Sequence, residues 1–288
     1  MKEELVFREA NQDEISLLFN GIIKEGWNPG IHDIHTYPDC TNTHFAVALH
    51  QDQPVSFASY IIYQQKYAFA GCYLVLNPEQ RGQGFGLALT NHLLDEMKQK
   101  GVKVIGIDGV VAQRDNYAKK GFVDAYLHRQ FYYQVQGHES IDENVSLTCP
   151  EIDTLTAFEA PFVPEPRSAF WQTWAVNDPS KKFACIHDSY GELSGFACLR
   201  KAVNGYRVGP IYAEGVDEAI ELLHGLAAQV PVESILYIDI PEGNPAGSHF
   251  IHQAELTENQ FDCMRMYKGK QPQLNVKGIF GVCTLEMG

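Results

Sequence analysis

In the first half of the chain, segments whose apolar residues have helical spacing alternate with segments that have the apolar pattern of strands. Residues from Asn11 onward place apolar side chains three or four positions apart, which predicts a helix capped by Asn11. A stronger helix is predicted over residues 84–100, where apolar side chains recur every four positions, at Phe85, Leu89, Leu93 and Met97. Short apolar runs predict strands around these helices, at residues 5–8, 45–49, 55–63, 68–76, 102–107 and 122–135.

The second half repeats this order of elements with little identity of sequence. Strands are predicted at residues 182–186, 195–201, 206–212, 234–240, 261–267 and 279–285, with helices at 216–229 and 244–254. Residues 25–40 are rich in Gly, Pro, Asn, Asp and His and predict a loop, and residues 137–165 contain connecting sequence. A chain of 288 residues favours two domains, which we place at residues 1–140 and 141–288.

Composition and charge narrow the classes of function. Residues 1–137 carry 12 Lys and Arg against 15 Asp and Glu, whereas residues 138–288 carry 10 against 21. An acidic half argues against a nucleic-acid partner and is compatible with a cationic substrate. No apolar run reaches the ~20 residues of a membrane span, and the polar start of the chain shows no signal segment. Seven cysteines without a CxxC pair favour reduced thiols, so we expect a cytoplasmic protein.

A glycine-rich turn between a strand and a helix is the most informative motif. It follows the strand at Leu74, Val75 and Leu76 and has the spacing Arg-x-x-Gly-x-Gly, at Arg81, Gly84 and Gly86. Glycines let the backbone approach a ligand closely, and the helix N-terminus favours negative charge. The motif therefore predicts a pyrophosphate site. It lacks the Gly-Lys-Ser/Thr ending of a Walker A loop and the full G-x-G-x-x-G dinucleotide pattern; the structural alternative is a loop that only turns the chain.

With this motif the sequence resembles the GNAT N-acetyltransferase superfamily. The resemblance implies that the loop holds the pyrophosphate of acetyl-CoA and that the preceding strand splays from its neighbour and pairs with the pantetheine arm. The cofactor-binding residues implied in this chain are Leu74, Val75, Leu76, Arg81, Gly82, Gln83, Gly84, Phe85, Gly86 and Asn116.

A second match to the superfamily follows the next buried strand. The family pattern Tyr-x-x-x-Gly-Phe corresponds to Tyr117, Gly121 and Phe122. The resemblance implies that Tyr117 protonates the departing CoA thiolate, a task for an acid that stays protonated at neutral pH. The structural alternative is that the Tyr117 ring packs on the sheet.

The whole chain also resembles a tandem GNAT group, on Cys263–Tyr267, the Gly281–Gly288 tail and the loop from Trp27 to Gly30. The fold implied is α/β, with two tandem GNAT-like domains, each a mostly antiparallel twisted sheet flanked by helices. In the second half the place of the phosphate loop keeps one glycine and gains Glu214, Asp217 and Glu218. Because these acids oppose phosphate, we expect a degenerate copy that shapes the acceptor pocket or replaces a dimer partner.

Candidates for the remaining chemistry are less specific. Trp27, Asn28 and Asp33 are assigned to the acceptor entrance, and Asp108 and Glu79 are candidate bases. The histidines and the cysteine of residues 32–44 lack the spacing of a metal site, so no metal is expected. Cys72 lies on the cofactor strand; a small buried hydrophobic residue is favoured over an acyl-cysteine nucleophile.

These features predict an N-acetyltransferase that moves an acetyl group from acetyl-CoA to a primary amine by direct attack in a ternary complex. The acidic second half favours a cationic small molecule as acceptor. We expect a monomer or homodimer with no nucleic-acid or membrane partner. The alternatives are a non-catalytic acetyl-CoA sensor or interaction module, and a transferase that uses a longer acyl-CoA.

Overall fold

The computed structural model describes residues 5–64 and 66–288; the predicted polar start at residues 1–4 lies outside this description. The elements of the first half are β1 (Val6–Glu9), α1 (Gln12–Lys24), α2 (Asp33–Asp39), β2 (Thr43–His50), β3 (Gln53–Tyr63), β4 (Tyr67–Val75), α3 (Phe85–Gln99), β5 (Val104–Val110), α4 (Arg114–Ala118) and β6 (Val123–Gln134). Those of the second half are β7 (Val145–Ser146), α5 (Ile152–Glu159), α6 (Ser168–Trp174), β8 (Lys182–His187), β9 (Leu193–Lys201), β10 (Tyr206–Tyr212), α7 (Val216–Ala227), β11 (Ile235–Pro241), α8 (Gly247–Gln253), β12 (Thr257–Lys268) and β13 (Ile279–Gly281).

All the strands belong to one mixed sheet. Their order is β1-β2-β3-β4-β5-β12-β6-β11-β10-β9-β8-β7, and β13 pairs with β10. Neighbours are antiparallel except for β4 with β5 and β10 with β11, which are parallel. This arrangement confirms the predicted α/β fold of two similar halves, each a mostly antiparallel sheet flanked by helices.

The two halves exchange their last long strands. β12 of the second half lies between β5 and β6 of the first, and pairs antiparallel with both. β6 in turn lies between β12 and β11. The halves are therefore joined by continuous backbone pairing through the middle of the sheet, and the sequence division near residue 140 does not separate the strands in space.

Local sequence explains the two helices that frame the site. Asn11 accepts a hydrogen bond from the Glu14 N–H, and the Glu14 carboxylate accepts one from the Asn11 N–H, which forms a capping box at the start of α1. Helix α1 buries Ile15, Leu18, Phe19 and Ile22. Helix α3 buries Leu89, Leu93 and Met97 at the predicted spacing. Both helix predictions are confirmed, because each helix turns one apolar stripe toward the sheet.

The helices form two layers. On one face, α3 and α4 cover the first half of the sheet, and α7 and α8 cover the second. On the other face, α1, α2, α5 and α6 share one core with residues 282–288, which follow β13. This shared core buries Trp171, Trp174 and Tyr37 completely and lies between the two halves.

Three sequence predictions are wrong in detail. Residues 25–40 contain α2, although Pro38 lies inside that helix. The connection at 137–165 contains β7 and α5, and the last predicted strand ends at Gly281. These elements are short, and α2 is stabilised by burial of Thr36 and Tyr37 against distant residues instead of by a local periodic pattern.

Candidate functional site

Strands β4 and β5 separate into a wedge in the middle of the sheet. They pair only from Tyr67 with Val104 to Ala70 with Ile107. Beyond that point β4 continues beside β3 as far as Val75, while β5 continues beside β12. The register of β4 shifts at a bulge around Cys72, whose φ is 49°. A bulge of this kind bends the strand and increases the local twist.

The wedge exposes backbone groups of β4. Leu76 donates its N–H to the Val55 carbonyl at 3.1 Å, on the β3 side. Backbone groups of successive strand residues point to opposite sides, so the Val75 N–H faces the wedge. The Val75 carbonyl also faces it, where the Arg81 Nε lies 3.4 Å away. Of the strand residues Leu74, Val75 and Leu76, Val75 therefore offers its backbone to a ligand.

The glycine loop leads from this edge into α3. Gly82 and Gly84 have φ of 79° and 93°, and a side-chain carbon at either position would meet open space. Their backbone conformation, and not crowding, therefore favours glycine. Gly84 is the N-cap of α3, so the N–H groups of Phe85 and Gly86 lie in the first turn, where no intrahelical acceptor exists. These N–H groups, with the Gln83 backbone beside them, line a cradle suited to an anion.

Arg81 supplies the loop's positive side chain. It forms an ion pair with Glu25, the C-cap residue of α1, with 2.5 Å between Arg81 Nη2 and Glu25 Oε1. Both side chains are partly exposed, at 41% and 32%. Arg81 thus links α1 to the loop, and Glu25 holds a carboxylate close to the predicted phosphate position.

Tyr117 reaches the wedge from the α3 face. Its ring packs where a side chain on Gly109 of β5 would stand, and it lies edge-on to Tyr73 and Phe122, with centroids 6.4 and 6.3 Å away. Burial, with the neighbouring Tyr73 and Cys263, raises the pKa of Tyr117. The phenol is therefore protonated at neutral pH. Asn116, beside it, is exposed and donates to Gln113 Oε1 at 2.7 Å.

Asp108 lies at the start of the wedge on the opposite face. Its carboxylate accepts from Arg265 Nε and Nη2 at 2.6 and 2.7 Å, and His128 Nε2 lies 3.1 Å away. Burial raises the pKa of this carboxyl, but Arg265 and His128 outweigh burial and lower it to about 2. Asp108 is a weak base in this environment. Glu79, the other candidate base, is exposed on the 3-10 turn that begins the glycine loop.

The loop assigned to the acceptor entrance holds the two halves together. Asn28 donates to the Asn204 carbonyl at 2.9 Å and accepts from the Asn204 N–H at 2.8 Å. Asp33 is fully buried and pairs with Arg200 of β9 at 3.3 Å. Trp27 is half-buried against the shared core. The side chains of Asn28 and Asp33 are thus engaged between the halves.

Residues 282–288 complete the wedge, and sequence patterns gave no local signal for their role. The main chain of Glu286 lies against Gly71, the first residue of β4 beyond its pairing with β5. The Glu286 carboxylate accepts from the Tyr37 hydroxyl at 3.3 Å. Glu286 and Gly71 are too far apart in sequence for spacing to reveal the contact. The Cys72 thiol lies in this region, and burial and Glu286 raise its pKa, so it is poorly suited to act as a nucleophile.

The corresponding wedge of the second half is filled. β10 pairs with β11 from Tyr206 to Val208, and then β13 pairs with β10 at Ile211 and Tyr212. The start of α7 carries a negative side chain, because the Glu218 carboxyl lies 2.8 Å from the position that a side-chain carbon on Gly215, the N-cap, would take. The place between β10 and β11 that corresponds to the wedge is therefore covered by β13, and the acid at the start of α7 disfavours a phosphate there.

None of the helices in residues 5–64 and 66–288 is long and apolar enough to cross a membrane. Among the same residues, no group of three or more His, Cys, Asp or Glu side chains is arranged to hold a metal ion.

Comparison with known proteins links the two halves to one family. A model of the acetyltransferase (GNAT) family matches residues 12–122, and a model of an acetyltransferase (GNAT) domain matches residues 156–281. The chain is 29% identical over 288 residues to holothin acyltransferase of Pseudoalteromonas sp. (strain SANK 73390), covering 98% of this chain and 94% of that protein.

Solved structures share the fold over nearly the whole chain. A candidate acetyltransferase from Pyrococcus horikoshii superposes with a TM-score of 0.81 at 20% identity, covering 100% of this chain and 97% of the other. A tandem GNAT protein from the clavulanic acid biosynthesis pathway gives a TM-score of 0.65 at 13% identity, with 93% and 100% covered. The tandem arrangement is thus found in proteins of low sequence identity.

Proposed function

The chain belongs to the GNAT acyltransferase family as a tandem protein, and from that premise we propose that it transfers an acetyl group from acetyl-CoA to a primary amine. The observation that carries the proposal is the wedge between β4 and β5, which opens at Ala70 and Ile107 and leads to the glycine loop. The wedge offers a free strand edge beside an anion cradle in the first half.

The residues of the first half can bind and orient an acyl-CoA. We assign the binding of the pyrophosphate to the cradle N–H groups at Phe85 and Gly86 and to the Arg81 guanidinium. The open edge at Val75 can pair with the amides of the pantetheine arm. Acetyl-CoA supplies the activated thioester. The Val75 N–H can donate to the carbonyl oxygen, where negative charge develops during attack.

The leaving group needs a proton, and we assign its donation to Tyr117. Its half-buried phenol has a raised pKa and reaches the wedge beside Gly109. A thiolate that leaves beside this hydroxyl can take its proton. General-acid catalysis of this kind increases the reaction rate by about 10²–10⁴-fold. Asn116 stands one residue away, exposed beside the same opening.

We propose that the acceptor approaches from the face opposite α3, where both halves meet. The strand exchange and residues 282–288 place second-half side chains at the wedge. The net charge of the second half favours a cationic amine.

The site is complete within one chain, which is compatible with a monomer or a homodimer. Seven free cysteines, six of them buried, fit a reducing compartment, and we place the reaction in the cytoplasm.

Calorimetric titration of acetyl-CoA tests the proposal directly. We expect one site per chain, because the wedge of the second half is filled by β13. The variant Arg81→Glu should abolish binding, whereas Glu214→Gln, at the corresponding place in the second half, should leave one site. Two sites per chain would show that the second copy is functional. Absence of binding by the unaltered protein would remove the enzyme proposal.

An amine panel with release of free CoA thiol tests the transfer itself. The panel should contain spermidine, lysine, benzylamine, aniline and holothin, the last because the relative is named for it. Binding without transfer to any amine would favour the acetyl-CoA sensor. Competition between acetyl-, butyryl- and octanoyl-CoA separates an acetyltransferase from a transferase of longer acyl groups.

A further inference from the structure

We propose that Glu286 is the general base that takes the proton from the attacking amine. This inference rests on the proposed acetyl transfer and names a group that the mechanism above leaves open. The sequence candidates do not fill the role, since Asp108 is tied to Arg265 and Glu79 is exposed on the glycine loop.

The position of Glu286 is fixed by contact with the start of the wedge. Its Cα lies 2.8 Å from where a side-chain carbon on Gly71 would stand, so β4 admits this segment only because residue 71 is glycine. Its charge acts on the thiols of Cys72 on β4 and Cys263 on β12 and contributes to raising the pKa of each. The main chain of Glu286 thus lies at the start of the wedge, and its charge acts on one residue of β4 and one of β12.

Glu286 and Tyr117 lie on opposite faces of the sheet. Gly109 of β5 faces Tyr117, and its neighbour Asp108 faces the shared core, because successive strand residues alternate. Glu286 belongs to the segment that packs in that core, while the Tyr117 ring packs in the α3 core. An acyl group in the wedge would therefore have the acid on one side and Glu286 on the side from which the acceptor approaches.

Glu286 lies among charged residues that favour its accepting a proton. Arg200 pairs with Asp33, and Arg207 pairs with Asp239. Each arginine is thus already balanced by an aspartate, and an ionised Glu286 adds a third negative charge to two positive ones. Among the described residues, no Lys, Arg or His nitrogen lies within the 4.0 Å of an ion pair from Glu286. The groups that face it are Asp33 and Tyr37 on α2, Cys72 on β4, Arg200 on β9, Arg207 on β10, Asp239 on β11 and Cys263 on β12.

The balance of these effects suits a base. Burial raises the pKa of Glu286, Arg207 and Arg200 oppose that rise, and Asp33 and Asp239 reinforce it. A carboxyl group with a raised pKa is a stronger base, and its driving force for accepting a proton from an ammonium group is larger. The Tyr37 hydroxyl orients the carboxylate by donating to Oε2.

The step balances with the groups present. The amine nitrogen forms a bond to the thioester carbon, and the carbon–sulfur bond breaks with its electron pair on sulfur. Glu286 takes the first proton from the ammonium nitrogen before attack, sulfur takes the proton of the Tyr117 phenol, and the second nitrogen proton passes to water. The products are an amide and the CoA thiol, and the two side chains return to their starting states by proton exchange with water.

The variant Glu286→Gln tests the role in the full chain. We expect kcat to fall by about 10²–10⁴-fold, while the Kd of acetyl-CoA changes less than about twofold. The loss should be smaller for a fluorinated analogue of the best amine of the panel, because a less basic amine loses its proton without help. Glu286→Asp should recover part of the rate. Tyr37→Phe, which keeps the carboxylate and removes the hydrogen bond that orients it, should lower kcat less than Glu286→Gln does and move the acidic limb of the kcat profile to higher pH.

Separate readouts distinguish failure of this inference from failure of the proposed function. If the unaltered protein binds acetyl-CoA and acetylates an amine, a Glu286→Gln variant with nearly full kcat overturns the role of Glu286. An equal loss with every amine, whatever its basicity, also overturns it. If no amine is acetylated, infrared difference spectra between the protein and Glu286→Gln still report on Glu286. A Glu286 carboxyl group that titrates no higher than an exposed glutamate overturns the inference, and one that titrates at a higher pH supports it.

Discussion

The Asp108 carboxylate on β5 accepts two hydrogen bonds from the Arg265 guanidinium on β12, at 2.6 and 2.7 Å. The two residues are also directly opposite each other in the sheet, although they come from different halves of the chain. The pair therefore couples the exchanged strand to the strand that forms one side of the wedge. Because the Asp108–Arg265 pair lies at the wedge, it contributes both to the association of the two halves and to the geometry of the site.

Acid should weaken this contact in a defined pH range. The pKa of Asp108 is lowered from 3.8 to about 2. A group with a lowered pKa stabilises the folded state fully above its unfolded pKa, and the contribution is lost as the pH falls from about 4 toward 2. The shift corresponds to roughly 2 kcal/mol in the free energy of unfolding.

Denaturant unfolding at a series of pH values tests that prediction. At pH 7, Asp108→Asn should lower the free energy of unfolding by about 3–5 kcal/mol, because Arg265 is left buried without its partner. Its stability should also vary less between pH 4 and pH 2 than that of the unaltered protein. Asp95→Asn, at an exposed aspartate on α3, is the control and should match the unaltered protein. An unchanged pH dependence in Asp108→Asn would contradict the assignment.

The phenol of Tyr117 should matter for turnover and not for binding. Tyr117→Phe keeps the ring that packs on Gly109 and removes the proton donor. We expect kcat to fall about 10²–10⁴-fold with an unchanged Kd for acetyl-CoA. Tyr73→Phe is the matched control, since its ring touches that of Tyr117 and its phenol lies by the start of α3. Steady-state kinetics and calorimetry separate the two outcomes, and full activity of Tyr117→Phe would remove the role.

Local sequence was sufficient for the glycine loop and the helix that follows it. The spacing of Arg81, Gly84 and Gly86 and the apolar stripe of α3 are properties of short segments, and the structure forms the strand, loop and helix at the predicted places. Positive φ at Gly84 is likewise a local requirement that glycine meets without strain.

Short sequence patterns did not predict which distant strands and side chains pair with each other. The apolar run of β12 predicted a strand, but nothing in it indicated that β5 and β6 would be its partners. The contact of Glu286 with Gly71 joins residues from different halves of the chain. The ion pair of Asp33 with Arg200 explains why a residue predicted for an entrance is buried, and that pairing also depends on the second half.

The two glycines that flank α3 allow the effect of a substitution on ligand binding to be distinguished from its effect on backbone strain. Gly84 before the helix and Gly101 after it have φ of 93° and 86°, and a methyl group at either position would meet open space. Alanine at each should therefore destabilise the fold by a similar amount, about 1 kcal/mol. Gly84→Ala should also raise the Kd of acetyl-CoA by roughly tenfold or more, equivalent to about 1.4 kcal/mol. Thermal unfolding and calorimetry on both variants check this, and equal loss of affinity in Gly101→Ala would remove the loop-specific role.

Glu25 should weaken the binding of acetyl-CoA. It engages Arg81 at 2.5 Å and places a negative charge beside the glycine loop. An ion pair this exposed contributes about 0–1 kcal/mol to stability, so Glu25→Gln should leave the unfolding temperature nearly unchanged. The freed Arg81 and the lost carboxylate should lower the Kd of acetyl-CoA by about two- to fivefold.

The dependence on salt distinguishes this electrostatic effect from a change in loop shape. The gain of Glu25→Gln should shrink as ionic strength rises from 0.01 M to 1 M, because the Debye length falls from about 30 Å to about 3 Å. Glu143→Gln, at an exposed acid of the second half, should not change the Kd at either extreme. Weaker binding by Glu25→Gln at all salt concentrations would mean that Glu25 holds Arg81 in its binding position. In that case the ion pair is part of the acyl-CoA site and does not compete with the phosphates.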